Sequence, residues 1–433
     1  MKEDFLHFIW KEQLFNTSNL KTCEGSAISI IDKGHYNHHS GPDFFNCQIK
    51  LDHLLWVGNV EIHLRSSDWY RHKHQEDIAY DNVILHVVLE NDMEVYRSNG
   101  TTIPTLSLKD KFYKESYLRY ERFFNSGTLM YPCIQNLSKV PKKIIEDTLS
   151  KNLENRILKN TSTIKDQLVI TNNHWEEAFY HLLAKAFGFK VNAVPLQLLA
   201  ETIPYTIIER ESNDIFKIES LLFGVAGLLN TIEASPYLSK LKTEFKHQQK
   251  KYSLDALHPS IWKFGKLRPS NFPTIRISQL SMLLYKQKRL FKRCIHSNTI
   301  EDVKKLLITE ASDYWATHYH FEKSTQPIVK HLGEESINGI IINCIVPFCY
   351  AYGLQIGNHE IQRKAHEWLK QLPAEKNKFT KLWNNASVQF INSSETQGLI
   401  QLNNSYCMKD KCVYCKIGSS ILNLNFDQCE KIA

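Results

Sequence analysis

Asp43 and Glu61 are two carboxylates separated by one apolar, alternating segment and a tight turn in GPDFFNCQIKLDHLLWVGNVEIHLR. His63 follows Glu61 by two residues, which on an extended strand puts both side chains on one face. Hard cations such as Mg²⁺ or Mn²⁺ take carboxylate oxygens, usually one or two from the protein and the rest from water and phosphate. Adjacent strands lie about 4.8 Å apart, so a strand-end acid and an acid on the next strand can converge on one ion. A basic group at the i+2 position then points at the same water or phosphate. That arrangement acidifies water and stabilises the charge that develops in phosphoryl transfer. The competing structural account has Asp43 capping the turn after Gly41-Pro42 and Glu61 pairing with an arginine such as Arg65.

A second constellation follows directly, in SSDWYRHKHQEDIAYDN. His72, His74 and Asp77 can ligate a transition metal if the segment is extended, but not if it is helical, where i and i+2 face apart. Trp69 and Tyr70 beside them suit stacking on a base or shaping a pocket. His86 lies inside the apolar run VILHVVLEN and is expected to be a hydrogen-bonded core residue. Far downstream, LRPSNFPTIRISQL sets Arg268, Asn271 and Arg276 in a proline-punctuated loop that enters a helix. It could present arginines to phosphate, helped by the helix N-terminus, or serve as a rigid connector with its arginines paired to acids.

Cys407, Cys412 and Cys415 form a C-x4-C-x2-C cluster among lysines. Thiolates in this pattern select Zn²⁺ or an iron–sulfur cluster. A fourth ligand is missing locally, and Cys133, Cys344, Cys349, Cys429 or a histidine are candidates. Three unliganded thiols are the alternative.

These groups need a scaffold. The 433 residues suffice for two or three domains, with 42% hydrophobic and 23% charged residues, which is ordinary for a globular protein. A net charge of +7 permits an acidic partner such as nucleic acid without requiring one. The charged N-terminus is unlike a signal peptide, and the most apolar stretch, from Ile340 to Tyr352, is short for a membrane span and contains Asn343. A cytoplasmic protein is expected, with cysteines as thiols or metal ligands rather than disulfides.

Residues 4–15 read as an amphipathic helix with Phe5, Phe8 and Ile9 on one stripe. Three strands follow, in SAISIIDKG, DFFNCQIKLD and LLWVGNVEIHLR, with a turn at Asp52-His53 and a bulge at Gly58. A short helix or ordered loop then leads to the buried strand VILHVVLEN, and EVYRSNGTTIPTLSL continues the sheet. From about residue 139 the period becomes helical. The fold class expected is α+β, an N-terminal mixed sheet with flanking helices followed by a mostly α-helical domain. The expected divisions are 1–135, 136–395 and a cysteine-loop segment 396–433.

The order helix, three strands, helix, strand, with Pro42-Asp43 on the second strand and Glu61-x-His63 on the third, resembles the PD-(D/E)xK nuclease superfamily. By that resemblance Asp43 and Glu61 are metal ligands in a phosphodiester hydrolase, and an acid from the first helix, Glu3 or Glu12, completes the set. The sequence departs from the pattern at His63, which stands where a lysine is usual. Over nearly its full length the chain also resembles an uncharacterised bacterial family, a domain of unknown function. The segments that carry this are HSGPDFFNCQI, GNVEIHLRSSDWYRHKHQEDIAYDNVILHVV, RPSNFPTIRISQL and YCMKDKCVYCKIG. The leading expectation is a Mg²⁺- or Mn²⁺-dependent nuclease in which His63 orients or deprotonates water. The alternatives are an inactive nucleic-acid- or protein-binding platform, and a metal hydrolase built on His72, His74 and Asp77.

Overall fold

In the computed structural model the described residues are 1–37, 40–125, 131–230, 235–321 and 323–423. They fold as α+β and divide into two compact units. The first comprises Met1–Thr148, Lys381–Gln389 and the chain from Leu402, and the second Leu149–Thr380 and Phe390–Gln401. The cysteine loop, expected as a separate closing segment, thus belongs to the first unit.

Helix α1 spans Glu3–Glu12, with Glu3 and Asp4 in its first turn, where the dipole favours acids, and a left-handed Gln13 ending it. Its middle is buried all round, from Phe5 through Trp10, rather than along one stripe. The one polar side chain in that run, His7, is carried inward with its neighbours.

The sheet has seven strands: β1 (Leu20–Lys21), β2 (Ala27–Asp32), β3 (His35–Tyr36), β4 (Phe44–Leu51), β5 (Leu54–Arg65), β6 (Val83–Glu90) and β7 (Thr105–Ser107). Its order is β1-β2-β4-β5-β6-β7, with β3 paired to β4. Strands β2, β4 and β5 run antiparallel, and β5, β6 and β7 are parallel. The β4–β5 hairpin closes where Leu51 pairs with Leu54, and Asp52 takes a left-handed conformation at φ 50°. The bulge falls on β4, not at Gly58. The register slips between Phe44 and Cys47, and Asn46 between them has φ 56°. Gly58 is needed for another reason: a Cβ there would stand 2.5 Å from the Ile84 side chain and 2.6 Å from the Asn82 carbonyl.

The β5–β6 connection is short and polar. Helix α2 spans Asp68–Arg71, and two 3-10 turns follow at His74–Glu76 and Ile78–Tyr80. Strand β6 is buried through its first six residues, so both faces of the sheet are covered there.

The second unit is helical, with a core that includes Phe179, Phe291 and Phe348 at ring separations of 5.2 to 5.9 Å. One helical run, Glu334–Gln355, is long and apolar enough to cross a membrane by length and composition, and 72% of its 18-residue apolar window is buried inside the protein.

Candidate metal centre

The antiparallel β4–β5 pairing sets Asp43, just before β4, beside Glu61 on β5. The Asp43 amide donates to Glu61 Oε2 at 3.0 Å, and the Ile62 amide donates to Asp43 Oδ2 at 3.0 Å. Glu61 is only 5% exposed. Burial, and then the neighbouring Asp43, raise its carboxyl well above the usual carboxylate range. Two acids held this closely out of water repel each other unless a cation or proton joins them.

The ion-pair partners of both acids among the described residues are imidazoles. His7 Nε2 lies 3.2 Å from Asp43 Oδ2, while His63 Nε2 and His74 Nε2 lie 3.6 and 3.3 Å from Glu61 Oε1. Arg65 pairs instead with Glu90, at 3.8 Å, so the arginine account of Glu61 does not hold. Although within ion-pair reach, the buried nitrogens His7 Nε2 and His74 Nε2 lack an aligned hydrogen bond.

Parallel pairing places Glu61 beside His86 and carries His63 two residues further along the same face of β5. His63 Nδ1 is 2.9 Å from His86 Nε2, and its Nε2 is 3.1 Å from His72 Nδ1. His63, His72 and His74 each offer a ring nitrogen within 4.8 Å of the others. Burial first, then the neighbouring imidazoles, push His63 far below its ordinary value, and lower His74 to about 4 and His86 to about 3. Rings kept neutral in this way are good transition-metal ligands.

His72 and His74 converge although they are neighbours at i and i+2. His72 ends α2, His74 opens the next 3-10 turn, and Lys73 between them is left-handed at φ 61°. That kink turns both rings the same way, which a continuous helix would not do. Asp77 does not join them, because its Oδ1 accepts from the Ala79 amide at 2.9 Å and caps the following turn.

From α1 the site receives His7 and Glu3. Burial raises the Glu3 carboxyl, and Asp43, Asp68 and Asp4 raise it further against the opposing charge of His7. Glu12 faces elsewhere, accepting from Ser419 and Asn423. His7 Nδ1 contacts the Tyr414 hydroxyl at 2.6 Å, and that hydroxyl donates to Asp4 Oδ1 at 2.8 Å. Burial disfavours the charged form of His7, but Asp43, Glu3 and Asp4 together outweigh it and the ring's pKa is raised.

His7, Asp4 and Tyr414 were not among the residues expected here. The spacing of Glu3 and His7, one turn apart on a helix, was the available signal for His7. Nothing near Tyr414 in the chain announces its role.

The remaining expected residues sit as follows. Trp69 is fully buried, its Nε1 donating to the Tyr96 carbonyl at 3.1 Å and its ring edge-on to His74. It therefore backs the histidines and has no face left for stacking on a base. Tyr70 is half-buried and its hydroxyl donates to the Glu94 carbonyl at 3.2 Å. Arg268, Asn271 and Arg276 belong to the second unit. Arg276 is buried and donates to Gln279, Asn271 and Ser336 at 2.9, 2.6 and 3.3 Å, with its guanidinium over the Phe189 ring. It works as an internal tie, whereas Arg268 is exposed. Cys407, Cys412 and Cys415 are free thiols in two 3-10 turns and the junction with the next helix.

A family profile described as "Protein of unknown function (DUF2851)" matches residues 3–378. No curated protein and no solved structure matches the chain.

Proposed function

For this chain, which belongs to the DUF2851 family, we propose a divalent-metal-dependent phosphodiesterase acting on DNA or RNA, centred on Asp43, Glu61 and the surrounding histidines. The observation that carries the reading is the fixed approach of the two carboxylates. Each accepts a backbone amide from the other's neighbourhood, and imidazole nitrogens complete the surroundings. This donor set fits a divalent cation, and its nitrogen content favours Mn²⁺ or another transition ion over Mg²⁺. A cation there supplies charge neutralisation on a phosphate and acidifies a water molecule.

The chain's own groups have separable tasks. Asp43 and Glu61 hold the cation, with His63, His72 and His74 as nitrogen donors on the Glu61 side. His63 suits holding and orienting better than proton abstraction, because both its nitrogens already meet imidazoles and burial disfavours its protonated form. His7 stands beside Asp43 with a raised pKa and brings a positive charge to the site from α1, in place of a lysine on β5. Nucleic acid as substrate rests on the likeness of α1, the longer strands β2, β4 and β5, α2 and β6, with the short β1 and β3 added, to the helix, three-strand, helix, strand order of PD-(D/E)xK nucleases, and on the basic balance of the chain.

The test is cleavage of single- and double-stranded DNA and RNA with Mn²⁺ or Mg²⁺. Cutting should disappear in Asp43→Ala and Glu61→Ala while nucleic-acid binding persists. A wild type that binds these polymers and never cuts them would leave the inactive platform as the better account. Loss confined to His72 or His74 variants, with the acid variants active, would favour a histidine-centred hydrolase.

A further inference from the structure

Two distant parts of the chain that carry four cysteines of the first unit pack together. Cys407 opens the 3-10 turn Cys407–Lys409, Cys412 opens the turn Cys412–Tyr414, and Cys415 leads into the helix Lys416–Asn423. Cys133 immediately precedes the 3-10 turn Ile134–Lys139. That turn packs on the helix Lys416–Asn423, which also packs on the Cys412–Tyr414 turn. The Tyr131 hydroxyl, donating to Asn403, ties the same two parts together.

Cys133, Cys412 and Cys415 are buried, Cys407 is half-buried, and all four are free thiols. Burial raises the Cys133 thiol well above its usual value, and Cys407, Cys412 and Cys415 are the charges that raise it further. Cys407 is affected in the same way by Cys415 and Cys412.

The loop is also shaped to accept thiolates. Although burial raises Cys415, the Gly418 and Ile417 amides at the helix start donate to its sulfur and lower it, as does the Lys11 charge. A Cβ at Gly418 would fall 2.2 Å from the Cys412 carbonyl, so the loop closes this tightly only on glycine. The C-x4-C-x2-C spacing is one ligand short of a closed tetrathiolate site, and the fold supplies the fourth sulfur. Cys344 and Cys349 belong to the second unit, and Cys429 lies outside the described residues.

We propose that Cys133, Cys407, Cys412 and Cys415 are the four ligands of one thiolate metal centre, filled by zinc or by an iron–sulfur cluster. Each sulfur releases its proton to solvent as it binds. The centre fastens the closing segment to the sheet unit independently of any nuclease activity. Tyr414 lies between two of the ligands, so the same centre fixes the hydroxyl that reaches His7.

The test is elemental analysis of the full chain, purified anaerobically without added metal and again after reconstitution. Stoichiometric zinc with no visible absorption, or iron with acid-labile sulfide and a visible band, is the expected result and distinguishes the two fillings. Cys133→Ser and Cys412→Ser should lose the metal, whereas Cys23→Ser, at an exposed thiol, should keep it. Cys133→His retains a ligand and should still hold zinc, with a changed absorption spectrum on cobalt substitution. In the wild type, alkylation of Cys133 should accelerate when a strong chelator is added. A wild type that takes up neither metal, a Cys133→Ser that binds as much as wild type, or Cys133 alkylation indifferent to chelator would each overturn the proposal.

Discussion

Asp43 and Glu61 are locked to each other through backbone amides, the Asp43 N–H meeting Glu61 Oε2 and the Ile62 N–H meeting Asp43 Oδ2, both at 3.0 Å. The sheet thus holds two carboxyl groups together before any ligand arrives, and burial and Asp43 disfavour the ionisation of Glu61. Structures that store repulsion in this way exchange stability for function. Glu61→Gln keeps an acceptor for the Asp43 amide and removes the group whose ionisation burial and Asp43 disfavour. It should raise the melting temperature of the metal-free protein, by about 2–4 °C for a gain on the order of 1 kcal/mol, while abolishing metal-dependent cleavage. Calorimetry beside a cleavage assay checks both, and a lower melting temperature would contradict the account.

His86 touches no candidate substrate position, yet its Nε2 is the partner of His63 Nδ1 at 2.9 Å. A hydrogen-bonded partner behind a metal-binding imidazole fixes its tautomer and orientation, and losing it typically costs about 10–100-fold in affinity or activity. His86→Leu should weaken Mn²⁺ binding by roughly that factor, as read by isothermal titration. Affinity unchanged in a folded variant would remove His63 from the ligand set.

The buried histidines give the protein an acid-sensitive limb. Burial and neighbouring imidazoles lower His74 from 6.5 to about 4 and His86 from 6.5 to about 3. Between those values the unfolded chain binds protons that the folded chain refuses. Their contribution to stability is therefore complete above pH 6.5 and declines as pH falls towards 4. His7 works in the opposite sense, because its raised pKa contributes below its unfolded value and is lost as pH rises through the folded one. Glu61, also raised, contributes only at low pH. Chemical denaturation at stepped pH should show a shallower loss on acidification in His74→Gln than in wild type. Equal slopes would mean that His74 is not held neutral.

Gly58 fixes where β5 lies against the chain entering β6. With a Cβ meeting Ile84 and Asn82 at 2.5 and 2.6 Å, Gly58→Ala must push β5 away from that chain. Overpacking of this kind costs about 1–3 kcal/mol. Reduced stability in urea should come with weaker metal binding, since Glu61 and His63 follow on the same strand. Full stability in this variant would show the approach to be more yielding than its distances suggest.

How far these features can be read from the sequence depends on their range. Strands β4, β5 and β6 are legible because alternation, apolar runs and the Asp52 turn are local signals, and the Asp43–Glu61 approach follows from them. Lys73 in a left-handed conformation is not legible, since lysine carries no preference for it. The joint turning of His72 and His74 was expected only for an extended segment, and its actual cause was hidden. Gly58 looked like a bulge because glycine in a strand has several causes, and the contact that decides between them lies on another strand. His7 was obscured by the apolar stripe around it, and Tyr414 by a separation of 407 residues.

That separation has a consequence for how the protein comes into being. The hydroxyl that steadies His7 emerges 407 residues after it, so a growing polypeptide carries the acids and imidazoles of the sheet long before that contact can form. A chain cut short before Tyr414 would keep the sheet's sequence intact and leave the His7 position unsupported. Synthesis of the Tyr414 turn is thus the step at which the α1 side of the site is fastened.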